Sequence, residues 1–445
     1  MKLLIMSKES TESCMISVQN HQQPLSGNKK IKNLMRNTAS VLVLITLLVI
    51  SSCSPKTRGV LRSPDVYGGK ADRDSVEKPH DEGKVEEEKP GKSDLQSKRI
   101  ALLLPFQLQM ISGQDLDEED VKRSALALDF YQGFQLGVEE ESKKSGEFSI
   151  QVMDTQDDEL RAVSLAATPE VEQAHLIVGP IYPREISSFG RGNNNKRVLQ
   201  VNPLAASMPT EFNIPNLVSI TPPIRIHLQT IVERIAEEYR DGDAIIVFDG
   251  RDNTHRQFIE GFDSEIQQYM DSTVDVIHVS SLSELDEHLQ DLGTSLIVTG
   301  MTDRSQLRSL ITGLDSKVAD GHQIRLYGHP LWERYDFSPY KNFSRMNPTI
   351  TSESRLKEWG SALQSFQREY KAAFEVSPSD FSYKGYDAGR YFVKLLDKYG
   401  TDYTDKLTEE EYEGLFSNYR FRFNPEWGYV NEGVMVKIYR NGSFQ

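Results

Sequence analysis

Cysteine is nearly absent from this sequence: of 445 residues only Cys14 and Cys53 carry thiols, both within the first 53 positions. The remaining length can have no disulfide framework and no thiolate metal site. Basic charge is also scarce, with 51 Lys and Arg against 66 Asp and Glu and a formal net charge of -15. Residues 1–52 hold six basic and two acidic side chains, so the rest of the chain sits near -19. A nucleic-acid binder needs a basic face that displaces counterions from phosphates, and no such stripe occurs, which argues against nucleic acid and other polyanions as partners. The nine histidines lack the i, i+4 pair of a zinc-protease helix, and the nearest grouping, His322 and His329, has no flanking ligand pattern, so neither metal nor cofactor is expected. Enzyme signatures are missing too. There is no Gly-x-Ser-x-Gly elbow and no phosphate loop, and Gly190-Arg-Gly192 meets Asn195 where a third glycine belongs. Ser338-Pro-Tyr-Lys341 has a proline where a catalytic helix would begin. No catalytic residue is assigned.

Long apolar runs are absent as well. The longest, Val41 to Ile50, spans ten residues and is broken by Thr46, well short of the roughly 20 needed to cross a bilayer. Lys29, Lys30, Lys32 and Arg36 precede it, and Ile50-Ser51-Ser52-Cys53 follows. A basic stretch, a short apolar run and small residues before a cysteine resemble a bacterial lipoprotein signal. The resemblance implies that the Cys53 thiol is acylated and becomes the mature N-terminus. Because residues 1–34 are polar for a signal, Met35 is an alternative start. By the same family logic, Ser54 implies an outer-membrane lipoprotein facing the periplasm. Residues 54–98 hold ten basic and ten acidic side chains with scarcely any large apolar one, so they cannot offset ordering entropy by burial and read as a disordered tether, spanning on the order of 35–40 Å.

What is abundant begins at Arg99: short runs of Ile, Val and Leu alternate with helix-period segments, the pattern of an α/β fold with parallel sheets. Strands are expected at Ile100–Phe106, Phe148–Asp154, His175–Tyr182 and Arg197–Pro203. Leu126, Phe130, Phe134 and Val138 stripe one helix face between the first two. After Thr221-Pro222-Pro223 the rhythm restarts, with a helix carrying Leu228, Ile231, Val232, Ile235 and Tyr239, then strands at Ala244–Phe248, Val274–Val279, Ser295–Thr299 and Ile324–Tyr327. In the tail, Phe421–Asn424 and Val434–Tyr439 alternate like strands. The acids of Asp115 to Asp120 are expected to extend into solvent from the first strand-to-helix connection.

Four stretches together resemble the type I periplasmic binding protein family, in its branched-chain amino-acid receptor-like branch. They are Ile100 to Phe106 (IALLLPF) with Phe130 to Phe134 (FYQGF), Ile177 to Tyr182 (IVGPIY), Phe366 to Phe374 with Pro378, and Tyr383 to Ala388 (YKGYDA). The resemblance implies two Rossmann-like lobes joined by three crossover segments. It divides the chain into a signal region at 1–52, the lipidated cysteine and tether at 53–98, lobe 1 at 99–222 plus 333–420, and lobe 2 at 223–332 plus 421–445.

Open parallel sheets bind ligands beyond the carboxyl ends of their strands. Those positions hold Phe106, Gly179, Tyr182, Ala205 and Ser207 in the first lobe, and Asp249, Thr299 and His329 in the second. The resemblance implies that Ser207 supplies a hydroxyl for a ligand carboxylate and Asp249 an acid for an ammonium, although Thr299-Gly300-Met301 stands where such receptors place an acid. Simpler readings stand beside these. Gly179-Pro180 shapes a turn, Tyr182 packs under a loop, His329 is a loop residue, and Asp387 is a helix N-cap. Two functions follow. One is a lipid-anchored solute-binding protein taking an amino acid or related small polar molecule and serving an ABC permease. The other is an interaction lipoprotein, resembling activators of penicillin-binding cell-wall synthases, that presents its lobes to a protein partner.

Overall fold

A computed structural model describes residues 98–111, 118–144, 146–270, 274–356 and 360–445. The signal region, Cys53 and the tether up to Ser97 lie outside the described residues, and Lys98, expected as the tether's last residue, is instead the first of β1. β1 (Lys98–Leu104) enters the fold with its last five side chains buried, as expected for a parallel strand covered on both faces. α1 (Glu118–Ser142) follows, with Glu118, Glu119 and Asp120 in its first turn, where negative charge meets the positive end of the helix dipole. Of the acids expected to extend into solvent, Asp115 and Asp117 lie outside the described residues, Glu118 and Glu119 are exposed, and Asp120 is buried and paired with Arg123. Then come β2 (Phe148–Asp154), β3 (Leu176–Val178), α2 (Pro183–Gly192), β4 (Gln200–Asn202) and β5 (Leu217–Ser219). The chain leaves this lobe through Thr221-Pro222-Pro223 into α3 (Ile224–Glu238), β6 (Ala244–Phe248), α4 (Asn253–Ile259), β7 (Val276–Val279), β8 (Thr294–Thr299), β9 (Gln323–Gly328) and β10 (Thr349–Ser352). It returns through α5 (Ser361–Phe374), α6 (Asp380–Tyr399), β11 (Tyr412–Glu413), β12 (Asn418–Tyr419), β13 (Phe421–Asn424) and β14 (Gly428–Asn431), and crosses again to end in β15 (Met435–Arg440) and β16 (Ser443–Phe444).

Two seven-stranded sheets result, in the orders β13-β14-β5-β4-β3-β1-β2 and β16-β15-β10-β9-β8-β6-β7. All pairings are parallel except those of β13 in the first sheet and of β15 and β16 in the second. Each sheet is covered on both faces by apolar clusters, Phe130, Phe134 and Phe392 with Ala162, Leu165 and Phe189 in one lobe, and Leu310, Leu314 and Trp332 with Ile231, Phe258 and Phe262 in the other.

The three crossings agree with the expected architecture, but the expected lobe boundaries do not hold at two places. Residues 333–352 belong to the second lobe, because β10 pairs in parallel with β9 at Thr349 and Tyr327 and antiparallel with β15. Residues 421–431 belong to the first, because the hairpin of β13 and β14 lays Tyr429 beside Val218 of β5. The sequence TITS of β10 has no apolar alternation, so only its sheet neighbours reveal it as a buried strand.

Two of the motif stretches meet in one contact. α1 and α6 run parallel, with Gly133 against Ser382 and Gly137 against Tyr386. A Cβ on Gly133 would lie 1.9 Å from the Ser382 carbonyl oxygen, and one on Gly385 would lie 2.1 Å from that of Phe130. The glycines of FYQGF and YKGYDA thus let the two backbones touch. Asp387 does not cap this helix. Ser379 does so, in a capping box with Ser382, and Asp387 lies two turns in, fully buried. Its carboxylate accepts from the backbone amides of Leu415 (2.8 Å), Phe416 (2.7 Å) and Ser417 (2.8 Å). Burial lifts its pKa to about 6, although those three amides pull the other way.

Candidate functional site

The carboxyl ends of the two sheets lie toward one another. α6 starts on the side where β1 ends, since it runs parallel to α1, and Asp380 in its first turn lies 3.7 Å from Arg334, which follows β9 in the other lobe. The candidate residues therefore line the end of each lobe that faces its counterpart.

In the first lobe most of them shape backbone. Phe106 is buried, stands edge-on to Tyr131 at 6.2 Å, and its carbonyl accepts from the Ser124 hydroxyl. Gly179 has φ +98 and precedes a cis proline, and a Cβ there would lie 2.0 Å from the Leu103 carbonyl oxygen, so its role is close passage beside β1. Tyr182 is the N-cap residue of α2 and packs half-buried against the core. Ala205 is pinned by Asn202, whose side chain accepts from its amide (2.9 Å) and donates to its carbonyl (2.9 Å). Ser207 alone remains open, half-buried, with no protein hydrogen bond to its hydroxyl among the described residues.

A feature of this end that the motifs did not point to is Glu185. It is fully buried in the first turn of α2, beside the equally buried Thr155 after β2. Burial pushes its carboxyl up to about 7, partly offset by Thr155. Single buried acids at helix starts carry no sequence signature.

The second lobe closes its own strand ends. Gly300 donates its amide to His255 Nδ1 (3.1 Å), Trp332 donates its indole N–H to the Met301 carbonyl (2.7 Å), and Tyr335 donates its hydroxyl to the Thr302 carbonyl (2.6 Å). Thr299 is wholly buried. His329 lies in the connection after β9, as the simpler reading expected, and is not open to ligand: it is buried against Phe258, its Nδ1 accepts from the Leu331 amide (3.1 Å), and burial drives its pKa down to about 3. It is therefore a neutral cap on the turn that follows. Asp249 is half-exposed but shared: His278 Nδ1 lies 3.2 Å from one oxygen and His255 Nε2 3.5 Å from the other. His278 also reaches Asp263 at 3.1 Å, and although burial opposes its charge, the two carboxylates together raise its pKa. Asp249 and His255 line a groove of about 560 Å³ with Arg256, Ile259 and Glu260. Among the described residues no three His, Cys, Asp or Glu side chains converge as a metal would require.

No protein-family model matches the chain, and no curated protein matches it. Solved structures do. A protein named for a branched-chain amino acid ABC transporter of Rhodospirillum rubrum is 14% identical, with a TM-score of 0.55 over 79% of this chain and 99% of that one. An ABC transporter substrate-binding protein from Desulfitobacterium hafniense is also 14% identical, with a TM-score of 0.50 over the same shares. The C-domain of LpoA from Haemophilus influenzae, a regulator of PBP1A, is 13% identical, with a TM-score of 0.52 over 78% of this chain and 99% of that one.

The fold is that of the type I periplasmic binding proteins. The Ser207 hydroxyl stays without a protein partner among the described residues, next to the pinned Ala205. The Asp249 carboxylate is engaged by two imidazoles, and the carbonyls of Met301 and Thr302 are engaged by Trp332 and Tyr335. Nothing in the sequence marked Trp332 or His255 for this role, because each acts through a backbone group far away in the chain.

Proposed function

We propose that this chain is a cell-envelope lipoprotein, anchored through acylated Cys53, whose two-lobed head binds a protein partner and performs no catalysis. The observation that carries this reading is the closed second lobe. The backbone groups that would meet a small polar ligand there are already bonded to Trp332, Tyr335 and His255, and displacing them would leave buried polar groups without partners. The likeness in fold to the C-domain of LpoA, a regulator of PBP1A, supports a penicillin-binding cell-wall synthase as that partner.

A second reading is kept by one observation, the unengaged Ser207 hydroxyl on the first lobe. It is capture of a small solute for an ABC permease, in keeping with the transporter proteins of the same fold. A melting scan against amino acids, peptides, sugars and wall fragments separates the two. A true ligand at about 100 times its Kd adds about 2.7 kcal/mol of stability. The partner reading expects no shift, together with co-purification of a penicillin-binding synthase with the lipidated wild type. A shift abolished by Ser207→Ala would overturn it in favour of solute capture. Labelling with an alkyne fatty acid tests the anchor: it should mark the wild type and spare Cys53→Ala.

A further inference from the structure

Two-lobed binding folds close by bending at the few residues that cross between lobes, and such hinges work because those residues can change φ and ψ at little cost. The crossings here are tied down. The first leaves β5 through Ile220 and Thr221, the second leaves β10 through Glu353, and the third leaves β14 through Asn431 and Gly433.

Lys384 of α6, with its side chain about nine-tenths buried, places its ammonium 2.7 Å from Glu353 Oε1, 3.5 Å from the Thr221 hydroxyl and 5.8 Å from the centre of the Phe416 ring. One charge thus holds the second crossing to the first and both to the first lobe. Asn431 ties the third crossing to the first by donating to the Ile220 carbonyl (2.9 Å), and it accepts from the Gly433 amide (2.9 Å). On the other side His227 of α3 meets the Thr351 hydroxyl at 2.9 Å, fastening the start of the first crossing's helix to β10. An apolar contact completes the joint. Ile226 of the second lobe packs on Trp427 and Val430 of the first, with Val434 beside them.

A bend that carries the second lobe away from the first would separate the buried Lys384 ammonium from the Glu353 carboxylate and expose the Ile226–Trp427 contact. A buried charge parted from its counter-ion is the more costly of these losses. We propose that the crossings form a fixed joint, so that the two lobes keep one relative orientation in solution instead of opening and closing. This inference does not depend on which partner the head binds.

Electron–electron resonance distances on the full chain test it. In a Cys14→Ser, Cys53→Ser background, spin labels at Leu160→Cys and Leu292→Cys report across the lobes, both positions being highly exposed. Labels at Leu160→Cys and Phe423→Cys report within the first lobe. The expected result is a single cross-lobe distribution no wider than the within-lobe one. Lys384→Met combined with Trp427→Ala should at least double the cross-lobe width and leave the within-lobe width unchanged. Should that double variant lose the within-lobe signal, Glu353→Gln alone, which keeps the shape and removes the charge, must broaden the cross-lobe distribution. Two populations or excess cross-lobe width in the unsubstituted joint would overturn the proposal, as would an unchanged width in the variants.

Discussion

Replacing Asp387 by Ala tests whether a single buried carboxylate holds the 412–419 segment onto α6. Three amides, those of Leu415, Phe416 and Ser417, point at its two oxygens at 2.7–2.8 Å, and Phe416 and Ser417 are buried. A buried donor left without an acceptor costs about 1–3 kcal/mol, so three set a ceiling of about 9 kcal/mol by the same rule. The segment belongs to the small two-stranded sheet of β11 and β12 and can shift to admit water to some of these amides. The expected loss is therefore toward the lower end, about 4 kcal/mol, a large part of the 5–15 kcal/mol typical of a folded domain. Asp387→Asn keeps one accepting oxygen but turns an NH2 toward donors, and it should lose about half as much. Urea unfolding of the head gives the loss as a lower midpoint at unchanged slope. Hydrogen exchange should speed up selectively at residues 415–417. A loss under about 1 kcal/mol, or unchanged exchange at those three amides, would refute the reasoning.

Glu185 predicts a pH dependence of the opposite sense to that of a salt-bridged acid. Its folded pKa of about 7 lies above the unfolded value of 4.5, so the folded state holds the proton more tightly and stability falls as pH rises from 4.5 through 7. The fall is about 3 kcal/mol, and because Asp387, raised to about 6, adds a same-sense fall only below that pH, Glu185→Gln should remove most of the slope between pH 6 and pH 8 in urea melts. A parallel slope in the variant would show that another group is responsible. Gly133→Ala sets two effects against each other: alanine gains about 1 kcal/mol of helix propensity, while its Cβ would sit 1.9 Å from the Ser382 carbonyl oxygen and push α1 from α6. Overpacking should win, for a net loss of about 1–2 kcal/mol, read as a lower melting temperature; a rise would mean that the helices separate without cost.

The class of fold was legible because its signals are local. Buried parallel strands such as IALLLPF and AIIVF read as continuous apolar runs, and the stripe Leu126, Phe130, Phe134 and Val138 has the helical period. The glycines of FYQGF and YKGYDA were visible as motifs, yet that they face each other across two helices emerged only on folding. Sheet membership at the edges depended wholly on tertiary pairing. β10 has too few apolar residues to announce itself, and β13 with β14 could equally have joined either lobe until Tyr429 met Val218. The candidate site divides the same way. Strand ends can be counted from the sequence, so Phe106, Gly179, Ser207, Asp249 and His329 were placed where ligands bind in this fold. Whether such a position stays open is decided by what reaches it from elsewhere. Trp332 comes from 31 residues away to meet the Met301 carbonyl, and His255 from 45 residues before Gly300. Periodicity reports which face of an element is buried; it holds no record of which polar partner, distant in the chain, will satisfy a backbone group at its end.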